Sequence, residues 1–205
     1  MKRKLLPGLF FALLLSLLYC IPSLADVSGS CGDHLTWTYV ENTLTISGTG
    51  PMDDYSQGNR PGWYDYSYSI QTIVIQEGVT SIGRYAFADC RNVPEITIPD
   101  TVTGIADYAF AHCSQLFDIY IYNPDTIIAG DAFYYCGVGN DSVSHFSIYG
   151  WADSAVETYA SHHSGIFFHP IYGYCGDNLV WHMEYVGDDC NVVTVSGTGP
   201  MWNYH

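Results

Sequence analysis

The sequence has very little positive charge and, beyond its fourth position, no lysine. Lys2, Arg3 and Lys4 make up half of the six Lys+Arg, and Arg60, Arg84 and Arg91 are the rest, set against 21 Asp+Glu. Over residues 26–205 the count is three basic against 21 acidic, a formal −18. Nucleic acids and anionic membrane surfaces are excluded as partners, because both are held by clustered Lys/Arg that displace counterions. A P-loop lysine and a Schiff-base lysine are excluded with them. The chain also lacks C-x-x-C, G-x-S-x-G, H-E-x-x-H and a glycine-rich phosphate loop, so no catalytic centre and no cofactor is implied. SGTG at 47–50 and 196–199 follows a strand-like run but does not open a helix-like one. After residue 25 no stretch is apolar enough to cross a bilayer. What is present, 18 Tyr and 20 Gly with only 13% charged residues, suits a folded β-rich chain rather than a disordered acidic one.

The N-terminus reads as a targeting device. MKRK is a charged head, LLPGLFFALLLSLL an apolar middle, and Ser23-Leu24-Ala25 a small-x-small cleavage site before Asp26. Cleavage after Ala25 predicts a secreted or cell-surface protein. A retained anchor fits less well, since 5–21 contains Pro7 and Gly8 and falls short of the ~20 residues of a comfortable span. Cys20 follows the bulky Tyr19, which disfavours a lipoprotein site.

A short repeat is the strongest signal. Cys90, Cys113 and Cys136 are spaced by 23 and 23 residues, and aligning on them gives SIQTIVIQEGVTSIGRYAFADC, NVPEITIPDTVTGIADYAFAHC and QLFDIYIYNPDTIIAGDAFYYC. Ile70/Ile73/Ile75, Val93/Ile96/Ile98 and Leu116/Ile119/Ile121 recur in step. Val143/Phe146/Ile148 follows as a fourth set after four extra residues. Ile82/Ile105/Ile128 and Phe87/Phe110/Phe133 recur with the same period. The apolar-x-apolar step marks a half-buried strand. A unit this short cannot bury its own apolar face, so copies must stack. The expectation is a leucine-rich-repeat-like solenoid of period 23 with its strands in one short parallel sheet.

ITIPDTVTGIADYAFAHC resembles the BspA-like leucine-rich repeat of bacterial surface proteins, whose pattern runs roughly I-x-I-P-x-x-V-x-x-I-x-x-x-A-F-x-x-C. The third copy departs from it at Asp125 and at Gly130-Asp131, which predicts a looser turn there. IYGWADSAVETYASHHSGIFFHPI (148–171) is similar to the family's C-terminal end, a short cap helix. The residues agree: Ser154 and Glu157 form a capping box and Val156, Tyr159 and Ala160 an apolar stripe. The resemblance implies adhesion to host proteins, other bacteria or matrix.

A second, longer repeat flanks the first. CGDHLTWTYVENTLTISGTGPMDDY (31–55) returns as CGDNLVWHMEYVGDDCNVVTVSGTGPMWNY (175–204). Alternating apolar residues on either side of a polar turn make each a β-hairpin, similar to modules that precede leucine-rich repeats in clostridial surface proteins. A lone hairpin is marginal in water, so the first should pack on the repeats through Trp37 and Trp63-Tyr64. The expected layout is a signal peptide at 1–25, a hairpin module and linker at 26–68, the repeats at 69–150, a cap helix and strand at 151–172, and an incomplete second hairpin module at 173–205. The last suggests a piece of a longer array.

The remaining chemistry is sparse. Strands ~4.8 Å apart bring Cys90, Cys113 and Cys136 within disulfide reach, but a small buried thiol in each repeat is the favoured reading. Cys175 and Cys190 fall at opposite ends of the second hairpin, and Cys31 and Cys175 are equivalent positions with no reason to pair. His162, His163 and His169 are the nearest approach to a metal cluster, and neighbouring helical residues diverge, so no metal is expected. Asp53-Asp54 and Asp188-Asp189 lack the spacing of a calcium loop.

That leaves surface. Alternate strand residues point outward, giving the rows Thr72/Glu95/Asp118/His145, Val74/Thr97/Tyr120/Ser147 and Gln76/Pro99/Tyr122/Tyr149. The candidate ligand-binding face is Glu95, Thr97, Asp118, Tyr120, Tyr122, His145 and Tyr149. The expected partner is a host or bacterial surface protein. The alternatives are a glycan held by Tyr120, Tyr122 and Tyr149, or a spacer role with no ligand. A sheet only ~14 Å wide at this strand spacing is small against ~800 Å² per partner, so multivalent display is expected.

Overall fold

A computed structural model describes residues 27–137, 146–176, 179–185 and 191–199. The expected signal peptide, Val143, His145 and Cys190 lie outside the described residues.

The chain begins with an antiparallel meander of β1 (Val27–Gly32), β2 (Leu35–Val40) and β3 (Thr43–Gly48). The two-residue turn Glu41-Asn42 has φ of 47° and 65°, the left-handed pair that matches strand twist in a tight hairpin. β3 then pairs in parallel with β5 (Thr72–Ile75), with Leu44 opposite Ile73 and Ile46 opposite Ile75. The first repeat strand thus completes the hairpin's sheet, as its marginal stability alone requires. Trp37 meets Trp63 edge-on at 5.7 Å and both indoles are buried.

A second four-stranded sheet runs in parallel through β4 (Gly50–Pro51), β6 (Val79–Ile82), β8 (Gly104–Ile105) and β10 (Ile127–Ile128). A third contains β7 (Glu95–Ile98), β9 (Asp118–Ile121), β11 (Phe146–Trp151) and β12 (Ile166–Gly176) in parallel. The antiparallel β13 (Leu179–Tyr185) and β14 (Asn191–Gly197) continue it. Ladder partners such as Glu95/Asp118, Ser81/Gly104 and Gly104/Ile127 are 23 residues apart.

Between the ladders lies the core. Rings are stacked in a row, Trp63 on Phe87 at 5.9 Å, Phe87 on Phe110 at 5.3 Å, Phe110 on Phe133 at 5.4 Å, with Phe146 tilted against Phe133 at 4.9 Å. Each buried ring contributes about 1.5–3 kcal/mol. Cys90, Cys113 and Cys136 are buried free thiols. Cys113 Sγ donates to Phe87 O at 3.2 Å and Cys136 Sγ to Phe110 O at 2.9 Å, one repeat back. Desolvation pushes the Cys90 and Cys136 thiols far up from their ordinary pKa.

The helix α1 (Ala155–His162) caps the far end. Ser154 Oγ accepts from Glu157 N at 3.2 Å, and Glu157 Oε2 accepts from Asp153 N at 2.6 Å, so the box closes one residue further out than the usual pattern. Val156, Tyr159 and Ala160 are buried, and Tyr159 Oη donates to Gly130 O at 3.2 Å.

Three expectations are corrected. The repeat strands do not form one sheet: the ladder breaks between β5 and β7. β9 bonds to β7 through Phe117 N to Pro94 O and Tyr122 N to Ile98 O. One repeat earlier the equivalent donors would be the nitrogens of Pro94 and Pro99, which carry no hydrogen. Second, the fourth repeat is displaced by two residues. Ser147 pairs with Asp118 and Tyr149 with Tyr120, not His145 with Asp118 and Tyr149 with Tyr122, because Phe146 joins the ring row. Third, the turn at Asp125 is held rather than loose. Asn123 Nδ2 donates to Asp100 O at 2.7 Å, Asn123 Oδ1 accepts from Asp125 N at 2.9 Å, and the buried Thr126 donates Oγ1 to Val102 O at 2.8 Å.

Candidate functional site

On the strand face Glu95 and Thr97 are exposed, and Asp118, Tyr120, Tyr122 and Tyr149 are half-buried. Glu95 and Asp118 are register partners, as are Thr97 and Tyr120. The two-residue displacement sets Tyr149 on Tyr120 with centroids 4.6 Å apart and planes at 16°, and His169 of β12 stacks on Tyr149 at 4.7 Å and 18°. A second row begins at Tyr122, which meets Tyr172 edge-on at 5.8 Å. Trp151 stacks on Tyr172 at 5.1 Å and Tyr172 on His182 at 4.5 Å. Trp151 Nε1 also donates to Tyr122 O at 2.8 Å.

The structure therefore brings Tyr120 and Tyr149 together and places Tyr122 in a neighbouring row. His145 lies outside the described residues. Trp151, His169 and Tyr172 belong to the same surface, brought there by the two-residue displacement of β11 and by the parallel pairing of β12 with it, which no repeat spacing signals. Consecutive rings pair as cross-strand neighbours, which stabilises the sheet. Tyr149 is thus stacked upon by both Tyr120 and His169.

A second surface, invisible to strand alternation, lies along the turns between ladders. Tyr85 and Tyr108 have φ of 54° and 59°, and Asp89, His112 and Tyr135 have φ of 64°, 62° and 59°. Non-glycine residues avoid this left-handed region unless the surroundings enforce it. Here hydrogen bonds between turns do so: Phe87 N to Ala109 O at 2.7 Å, Asp89 N to Ala111 O at 2.8 Å, Phe110 N to Ala132 O at 2.9 Å and His112 N to Tyr134 O at 2.8 Å. Phe87 and Phe110 are buried inside, while Tyr85, Tyr108 and His112 line an open groove of about 570 Å³. Tyr85 stacks on Tyr108 at 5.0 Å, and Tyr134 meets Tyr108 edge-on at 5.8 Å. Tyr108 Oη donates to Asp131 Oδ2 at 3.0 Å, which raises the phenol's pKa.

The chain's three arginines beyond position 4 gather on this side. Arg60 lies over Tyr64 at 3.8 Å and Arg84 over Tyr85 and Tyr108 at 5.7 and 5.8 Å. Arg91 pairs with Asp89 at 2.7 Å and sits 5.1 Å from the Tyr68 ring. Their positions in the sequence are scattered, so no linear motif marks them.

Among the described residues no three His, Cys, Asp or Glu side chains converge as a metal site would need. His162 and His163 direct Nδ1 to the helical carbonyls of Thr158 and Tyr159, each at 2.7 Å. Among the described residues no helix is long and apolar enough to cross a membrane.

Residues 61–148 match the model of the BspA type leucine-rich repeat region (six copies). Among solved structures, a leucine-rich repeat protein from Eubacterium ventriosum matches at 26% identity and a TM-score of 0.46, covering 61% of this chain and 38% of that one. A leucine rich cell surface protein from Faecalibacterium prausnitzii matches at 18% identity and a TM-score of 0.39, covering 60% and 39%. The chain thus spans less than two-fifths of either protein. No curated protein matches it. Residues 61–148 are thus similar to a BspA type leucine-rich repeat region, and the stacked phenylalanines and buried thiols fall at its repeated positions.

Proposed function

We propose that this chain is a non-catalytic interaction module of a bacterial surface or secreted protein, released by cleavage after Ala25. In this reading 69–150 is a solenoid of period 23, preceded by a hairpin module at 26–68, closed by 151–172 and followed by a second hairpin module at 173–205. The partner is a protein of the host or of another bacterium, held by the face of β7, β9 and β11. The observation that carries this is the row Tyr120–Tyr149–His169 beside the carboxylates Glu95 and Asp118. Preorganised rings give contact area at low entropic cost. On this face protein is favoured over glycan, since Tyr149 carries a ring against each of its faces and gives a sugar none to stack on. The face is small, so adhesion rests on many copies.

The test is binding of residues 26–205, displayed multivalently, to matrix proteins and to glycans, beside a Tyr120→Ala/Tyr149→Ala variant. Protein binding that falls at least tenfold in the variant supports the reading. Undiminished binding, or a glycan signal on this face in place of a protein one, overturns it.

A further inference from the structure

We propose that the groove along the turns is a second binding site, independent of the strand face, and that it takes a short oligosaccharide bearing a carboxylate.

Its size fits. At about 570 Å³ it lies within the range of small-ligand sites, ~300–1,000 Å³. Its lining alternates phenol rings with groups that exchange hydrogen bonds. Tyr64, Tyr85, Tyr108 and Tyr134 supply ring edges and hydroxyls, and Asp131 and His112 stand between them. A pyranose presents the complementary pattern, apolar C–H patches beside hydroxyls, and amphipathic aromatic groups are suited to both. The rings are fixed in advance by the left-handed turns and by the Tyr85–Tyr108 stack, so little side-chain entropy is lost on binding.

Charge selects the acidic sugar. The chain is formally −15, yet Arg60 and Arg91 both line this groove beside Asp89 and Asp131, and Arg84 lies 5.7 Å from the Tyr85 ring. Asp89 partners Arg91. Among the described residues neither the Arg60 nor the Arg84 guanidinium pairs with a carboxylate, although Arg84 N donates to Asp54 Oδ1 at 2.7 Å. Arg60 donates Nε to Gln57 O at 3.2 Å and lies flat on Tyr64, which orients its fork while leaving the terminal nitrogens for a bidentate carboxylate.

The experiment uses residues 26–205 with four probes: sialyllactose, a hyaluronan tetrasaccharide, neutral lactose and hexaglutamate. Binding is measured by calorimetry at low and moderate salt. At least one acidic saccharide is expected to bind ten times or more tightly than lactose, and its affinity should fall with salt. Arg60→Gln, an exposed change, should weaken it at least tenfold, whereas the control Ser161→Ala on α1 leaves it unchanged; circular dichroism confirms that both fold. The proposal is overturned if neither acidic saccharide binds, if lactose or hexaglutamate binds as tightly, or if Arg60→Gln has no effect. Because Arg60 and the Tyr120/Tyr149 pair lie on different faces, failure of this site and failure of the strand-face reading are separate results.

Discussion

The two hairpins share one sequence pattern and differ in what surrounds them. Gly29 faces Trp37 across β1 and β2, and Gly173 faces Trp181 across β12 and β13. Trp37 is opposite Ile46, and Trp181 opposite Val195. Gly48 and Gly197 have φ of 112° and 116°. Yet Leu44 and Ile46 of β3 are both 0% exposed, whereas their counterparts Val193 and Val195 of β14 are 55% and 44% exposed. The first copy has β5 along its open edge and Trp63 against its tryptophan. Among the described residues β14 pairs with β13 alone. The hairpin's own sequence therefore supplies strands and turn, and the adjoining repeat supplies the burial.

The most severe way to break the difference is Trp63→Ala. This indole packs on Trp37, Tyr55 and Phe87 and donates Nε1 to Ala86 O at 3.0 Å. Its loss should cost about 3–5 kcal/mol, read from urea unfolding, while Trp181→Ala, at a half-buried site, costs about 1–2.

Alkali should strike the first copy next. The buried Cys31 thiol of β1 is pushed up to about 12, first by desolvation and then by Asp53. A pKa raised in the folded state means stability that is intact below the unfolded value near 9 and lost as pH rises toward 12. The loss approaches about 1.4 kcal/mol per pH unit above the unfolded value, so Cys31 alone should remove about 1.6 kcal/mol between pH 9 and 10.5, with the raised Cys90 and Cys136 thiols adding to it. Cys31→Ala should lessen that slope by the Cys31 share in a pH series of unfolding curves.

Gly29→Ala sharpens the comparison further. A Cβ there would lie 2.7 Å from Trp37 Nε1, and Gly62 closes on the same indole from another side, 2.8 Å from Cζ2. With nowhere for Trp37 to move, the cost should be about 1–3 kcal/mol. Gly173 lies closer still to Trp181, but that half-buried ring can shift, and thermal unfolding of Gly173→Ala should show about 1 kcal/mol or less. Smallest of all, Val193→Thr and Val195→Thr should each change stability by no more than ~0.5 kcal/mol.

Much of this was legible in the sequence because the 23-residue spacing repeats the residues that must be inside. Phe87, Phe110 and Phe133 stack, and Cys90, Cys113 and Cys136 are buried, where the alignment puts them. The cap was legible at Ser154 and Glu157 because a capping box is local chemistry. What failed depends on partners distant in sequence. The break at Pro94 and Pro99 required knowing which nitrogens face β5. The displaced fourth strand followed Phe146 into the ring row. The groove needed left-handed φ at Tyr85 and Tyr108, residue types that give no sign of it, and it draws together Arg60 and Arg91, which no spacing links.

Native-state hydrogen exchange of β3 and β14 in the same sample puts the comparison to its sharpest test. If cover by the repeat makes the difference, amides of Leu44 and Ile46 should exchange only with global unfolding, while those of Val193 and Val195 exchange at least 100-fold faster through local opening. Equal protection of the two strands would contradict the account, since the hairpin would then be stable without the repeat strand that completes it.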